Sequence, residues 1–386
     1  MDLLAVVCRP AGSVGARQEL CDAAARVADW TQVIQAALTH GTAGLLAHRL
    51  LRDVPDQVPA ELIGALGAYQ DHCQAQDDAR VTQLLEVLGA LRGSGIVALP
   101  FKGPALARLA YDQPALRESN DLDLLIREAD FEPAISCLTS RFGFQPLYPH
   151  LRPALRRAYY RYNGQDALWI PGRIPVEPHW AFAPRTLATE LDTAPLFARA
   201  QPVRVGGEEV ATLAPEDALL AACLHGFKDE WSRLISVADV AGLLTRHPHL
   251  DADTVLSHAT SVGLRRILLV GVALARDLLE APCPAVLAKA IDADRRLPTL
   301  VAEAIARLHQ PDAVQSSVFT LSSIRRRMRE RRADRFRYVV RTVLAARVPH
   351  YGVIDLPDAL LPLYPVVRVM HDFVALPLWR LVRRPA

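Results

Sequence analysis

Asp121 and Asp123, in the run DLDLLI at 121–126, are the residues whose type and spacing point most directly to chemistry. In an extended strand, side chains two apart share a face, so both carboxylates project together while Leu122 and Leu124 face the other way. Adjacent carboxylates repel, and the pairing becomes favourable when a cation sits between them. Hard oxygen ligands in that arrangement suit Mg²⁺, or Mn²⁺, which takes one or two carboxylates and completes its shell with substrate phosphates. Taken alone, the pair also fits two solvated aspartates at a strand start.

Neighbouring residues extend the pattern. Asn120 precedes the pair, and Arg117 lies four residues before Asp121, where a guanidinium can hold a phosphate bidentately. Lys102-Gly103-Pro104 follows the apolar run IVALPF and opens a helix. Glycine at such a turn lets phosphate oxygens approach backbone N–H groups at the helix start. Pro104 removes one donor, so Lys102 and neighbouring amides must supply the rest; an ordinary tight turn has the same sequence. A third acid, Glu177, alternates with Val176 and Pro178 in IPVEPHW. It can complete a two-metal site or act as a general base, or it is a surface acid. His179 falls on the same face, with Trp180 beside it, and packing is the simpler reading of both. Further on, His225, Lys228 and Arg233 fall within nine residues, and Asp239 follows. His225 and Lys228 share a helix face if the helix survives Gly226. They either contact base, ribose or triphosphate or tie this helix to the rest of the chain.

These residues need elements to place them. A chain of 386 residues and 42.4 kDa, 51% hydrophobic and 22% charged, supports two or three folded domains. Apolar weight in Ala, Leu and Val, with 6% aromatics, favours helices. Periodicity of three and four predicts a helical unit over residues 1–93, with Asp29 as an N-cap. Strands expected at 96–101, 121–126, 167–170 and 174–180, with helices at 104–111 and 128–140 and a hairpin around Gly206-Gly207, give an α/β unit over 94–214. Residues 215–310 read as a helical domain, and 311–386 as a basic helix with a Pro-rich apolar tail. No apolar stretch reaches membrane-spanning length, and the N-terminus lacks a secretory pattern. Six cysteines without a CxxC pair suit a reducing compartment, so a cytoplasmic location is expected. Net charge is +2, yet residues 325–347 hold ten Arg against Glu330 and Asp334, which leaves −6 on the remainder. Such a helix can bind nucleic acid, dock on the acidic body, lie at an anionic membrane surface with help from FVALPLW at 373–379, or simply be solvated.

The segments FKGPALARLAYDQPALRESNDLDLLI, VEPHW and LHGFKDEWSRLISVADVAGLL together resemble a family of bacterial nucleotidyltransferases within the DNA polymerase β-like superfamily. The matching positions are Lys102-Gly103, Tyr111, Arg117, Asp121 with Asp123, Glu177 with His179 and Trp180, His225, Trp231 with Leu234, and Asp239. The resemblance, over about residues 95–245, implies an α+β fold: a small mixed-sheet nucleotidyltransferase core flanked by N-terminal and C-terminal helical domains, mostly helical overall. It further implies that Asp121, Asp123 and Glu177 hold Mg²⁺ on an NTP such as ATP. Lys102 and Gly103 would cradle phosphates, and an acceptor would attack the α-phosphate with loss of pyrophosphate. Asn120, His179, Lys228 and Arg233 are carried as further nucleotide contacts, and the acceptor stays open among small molecule, peptide, protein and RNA. The turn departs from the superfamily's Gly-Ser, and Glu177 replaces the commoner Asp. The lost Ser keeps a non-catalytic nucleotide-binding or scaffold protein as the alternative, with a phosphotransferase third.

Overall fold

The computed structural model describes residues 2–10, 15–310 and 320–376. Alanine- and leucine-rich segments build the N-terminal helices α1 (Asp2–Cys8), α2 (Ala16–Ala25), α3 (Trp30–His40), α4 (Ala43–Asp53) and α5 (Ala60–Gly93). Asp29 caps α3 as its position predicts, its Oδ1 accepting from the Thr31 and Gln32 N–H groups. The 34-residue α5 turns Leu84, Val87 and Leu91 onto the sheet.

That sheet contains β1 (Ala98–Pro100), β2 (Leu122–Ile126), β3 (Gln145–Pro146), β4 (Leu168–Trp169) and β5 (Val176–His179), in the order β1-β2-β5-β4-β3. The central pair β2–β5 is parallel and the others are antiparallel. Helices α6 (Gly103–Ala110), α7 (Phe131–Phe142) and α8 (Pro153–Asn163) connect the strands. Leu122, Leu124 and Ile126 bury their side chains with α5 and α7, which leaves the opposite face of β2 for its acids. After α9 (Ala194–Arg199), the expected hairpin forms from β6 (Gln201–Val205) and β7 (Glu208–Thr212), and Gly206 and Gly207 both take positive φ. The Thr212 hydroxyl donates to the Pro100 carbonyl at 2.5 Å and fastens this hairpin to β1.

A second helical assembly follows: α10 (Pro215–Lys228), α11 (Leu234–Arg246), α12 (Ala252–Ser261), α13 (Arg265–Leu279), α14 (Ala285–Ala293) and α15 (Leu297–Leu308). Its leucines and valines join those of α1–α4 in one core. The fold is thus α+β and mostly helical, around a five-stranded mixed sheet. Two short elements escape the sequence pattern: β3, with only two residues, and α8, whose core-facing residues are few.

The arginine-rich stretch departs from the single helix expected there. It divides into α16 (Ser323–Arg327) and α17 (Arg332–Leu344), followed by α18 (Val348–Tyr351) and α19 (Tyr364–Met370). Arg325 and Arg329 are each only 1% exposed. The arginines dock on the body, because buried carboxylates and carbonyls satisfy their fixed donors better than one cylinder in water would. Of the apolar run at 373–379, residues 377–379 lie outside the described residues. No described helix is long and apolar enough to cross a membrane.

Candidate active site

Parallel pairing of β2 with β5 sets Asp123 opposite Glu177 and Leu125 opposite His179. A period of two then presents both acids on the face turned away from α5. Asp123 is 2% exposed, and two groups meet its Oδ1: the Lys102 ammonium at 3.1 Å and the His179 ring Nε2 at 2.9 Å. His179 Nε2 also lies 3.5 Å from Glu177 Oε2, which accepts from Gln165 Nε2 at 3.0 Å. The Phe101 ring meets His179 edge-on at 5.2 Å and fixes its plane. His179, read as packing, is therefore central to the cluster.

Charge in so dry a place reorganises the titrations. Burial and the neighbouring charges of Asp123 and Glu177 push Asp121 up to about 6. Burial acts on Asp123 in the same sense, but the Lys102 ammonium and His179 outweigh it and hold that carboxylate far below its ordinary range. For Lys102 burial favours the neutral amine, yet Asp123 and Asp121 keep it charged. His179 is raised despite burial, by its bonds to Asp123 and Glu177.

The C-terminal end of α10 faces this cluster. The helix runs through Gly226 because that glycine makes room for Trp231: a Cβ there would lie 2.4 Å from the indole ring. His225 and Lys228 consequently share one face. Burial and the nearby Lys102 charge push His225 down to about 3 and lower Lys228. Asp229, which the sequence pattern does not single out, is pushed up by burial, but His225 and Lys228 more than reverse this. Gln165 escapes the sequence pattern as well, and Phe101, the end of the apolar run 96–101, is marked there only as a core residue.

Gly103 opens α6 with φ +51, and an added Cβ would press to 3.4 Å against both the Asp121 carbonyl and the Ser119 hydroxyl. The turn therefore lies against the start of β2, within reach of the acids.

Three expected residues lie differently. Arg117, read as a phosphate ligand, is buried, and its Nε and Nη2 donate to the two oxygens of Asp239 at 2.8 Å each. The Tyr111 hydroxyl donates to the same carboxylate at 2.8 Å. Tyr111, Arg117 and Asp239 form a clamp between the sheet unit and α11, because a bidentate carboxylate satisfies a dry guanidinium more fully than an exchangeable ligand would. Asn120 is exposed and lines a separate cleft of about 300 Å³ beside Arg80 and Arg173. Arg233 is exposed at the N-cap of α11.

Asp123 Oδ2 is buried without a hydrogen-bond partner, and Asp123, Glu177 and His179 each bring a ligating atom within 4.8 Å of the others. An orphaned carboxylate oxygen beside a second carboxylate and an imidazole fits a divalent cation.

A family model described as "Uncharacterised nucleotidyltransferase" matches residues 26–280. Curated protein sequences give no significant match. Among solved structures, the antibiotic-resistance factor ANT(2'')-Ia aligns at 14% identity and TM-score 0.33, over 48% of this chain and 91% of its own. An antigenic nucleotidyltransferase-like protein from Paracoccidioides brasiliensis aligns at 15% identity and TM-score 0.30, over 54% of this chain and 95% of its own. With about two thirds of its length inside the family match, from α3 through α13, the chain belongs to this uncharacterised nucleotidyltransferase family.

Proposed function

We propose that the chain moves a nucleoside monophosphate from an NTP to an acceptor, using Mg²⁺ or Mn²⁺ held by Asp121, Asp123 and Glu177. One observation carries this reading: acids from adjacent parallel strands stand in register, and one buried oxygen of Asp123 is left without a partner. A metal bound there would neutralise phosphate charge and orient the triphosphate. Lys102, the cation nearest the acids, and the Gly103 turn are the proposed phosphate holders. His225 and Lys228 close the other side from α10. The acceptor's oxygen or nitrogen attacks the α-phosphorus, the bond to the β-phosphate oxygen breaks, and pyrophosphate leaves. Glu177, more exposed than Asp123, takes the acceptor proton. The proposed units are 1–93, 94–214, 215–310 and 311–386, with the site between the second and third. The acceptor class is a small molecule, peptide, protein or RNA.

A second reading has its own observation. Lys102 already sits 3.1 Å from Asp123, where its ammonium can stand in for a metal, as in a protein that keeps the fold and binds nucleotide without turnover.

The test incubates purified protein with each NTP and Mg²⁺ or Mn²⁺, with and without cell extract, and follows pyrophosphate and nucleotide-sized mass additions. Asp123→Asn should lower release by about 100-fold or more, the scale of losing a central electrostatic contact. Metal-independent NTP binding that survives this substitution, without pyrophosphate, would establish the second reading.

A further inference from the structure

The arginine-rich segment lies outside the matched family region, and its partners lead back to the site. Directly after α10 the chain makes an unusual turn: Glu230 and Trp231 both take positive φ, at 55° and 58°. Neither is a residue that adopts this conformation readily, so packing must hold it. Trp231 is fully buried, with its ring against Gly226 and Gly271. Glu230, 2% exposed, is held by Arg307 Nε at 3.0 Å and Arg325 Nε at 3.3 Å. Arg325 Nη2 also donates to the Lys228 carbonyl at 2.7 Å. One turn on, Arg329 stacks on Phe227 at 5.1 Å and on Tyr338 at 4.8 Å, and donates to the Ala188 carbonyl.

From this geometry we infer that Arg325 is a positioning residue: it braces the strained turn after α10 and thereby sets Lys228 against the carboxylate cluster. Its guanidinium bridges the last helical carbonyl and the first strained side chain, a task for a rigid fork rather than a single ammonium. The segment thus completes the site from within. A polyanion-binding role would need these arginines in solvent, where Arg325 and Arg329 are not. The part Lys228 plays in nucleotide binding rests on the function proposed above; the brace itself does not.

The chain has three lysines, which makes the test direct: Lys102, Lys228 and the exposed Lys289. Pulse labelling of the native full chain with an amine-reactive ester, read by peptide mass spectrometry, reports how Lys228 is held, with Lys289 as internal standard. Arg325→Met should speed Lys228 labelling about tenfold relative to Lys289, the value of one charged hydrogen bond. Arg325→Lys should restore part of the protection, and Arg326→Met, which removes an exposed arginine next door, should leave the ratio unchanged. An unchanged ratio in Arg325→Met, or an equal rise in Arg326→Met, overturns the brace. If Arg325→Met does not fold, Glu230→Gln and Arg325→Lys decide it by the same ratio. In a parallel arm, Arg325→Lys should raise the NTP concentration for half-saturation more than it lowers maximal turnover. Absence of any metal-dependent NTP binding in the unaltered protein would remove the functional reading, while the labelling ratio would still decide for or against the brace.

Discussion

Asp121 carries the cost of assembling the site. Its carboxyl is raised to about 6, first by burial and then by Asp123 and Glu177. A folded-state value above the unfolded one favours the fold below the unfolded value, and that contribution disappears as pH rises through about 6. Metal-free Asp121→Asn should therefore be more stable than the parent at pH 8, by up to about 3 kcal/mol, and no more stable near pH 4. Chemical denaturation in chelator at the two pH values measures it, and an equal gain at both would show that charge is not the cause. That Asp123 and Glu177 each stand on the polar side of a strand was legible in the sequence because strand alternation is local. The true partner of Arg117 was not: Asp239 lies 122 residues away, and an arginine near a DxD pair carries no mark of where its fork will close. His179 likewise looked like packing until the pairing of β5 with β2 brought it to Asp123.

Turns and helix ends decide how that residue chemistry is held. The Tyr111–Arg117–Asp239 clamp joins the loop before β2 to α11, and both charged groups are buried. Breaking such a pair leaves a bare charge, so Arg117→Ala should lose about 3–5 kcal/mol of stability. Arg117→Lys should recover only part, because an ammonium cannot span both oxygens. Thermal denaturation decides this, and a harmless Lys variant would deny the fork its role. The turn after α10 makes a second demand. Gly226→Ala would drive a methyl into the Trp231 ring, at a cost of about 2 kcal/mol or more, with α10 and α11 loosening together in hydrogen exchange. In the sequence Gly226 looks like a weakness in the helix. It is instead the space that Trp231 fills, which helical periodicity cannot reveal.

Over the whole molecule, charge is largely absorbed rather than displayed. Of the ten arginines at 325–347, Arg327, Arg337 and Arg341 pair with Glu303 or Glu190, Arg347 pairs with Asp372, Arg331 and Arg335 cap carbonyls, and Arg325 and Arg329 are internal. Arg326 and Arg332 are exposed to solvent. Any single-stranded RNA binding through this segment should thus release few counterions. A plot of log affinity against log salt should slope no more steeply than about −3, whereas ten free arginines would give about −7. The parallel register of β2 and β5 has a different kind of consequence. Because Asp123 faces Glu177 across one sheet spacing, the backbone gap between them is set by the strand pairing. A change in residue count within either strand would shift it. A single residue gained between Val176 and Glu177 would turn that acid into the opposite core. The spacing of the two acids is thus written in chain length, and its errors would be frameshifts of one residue within a strand.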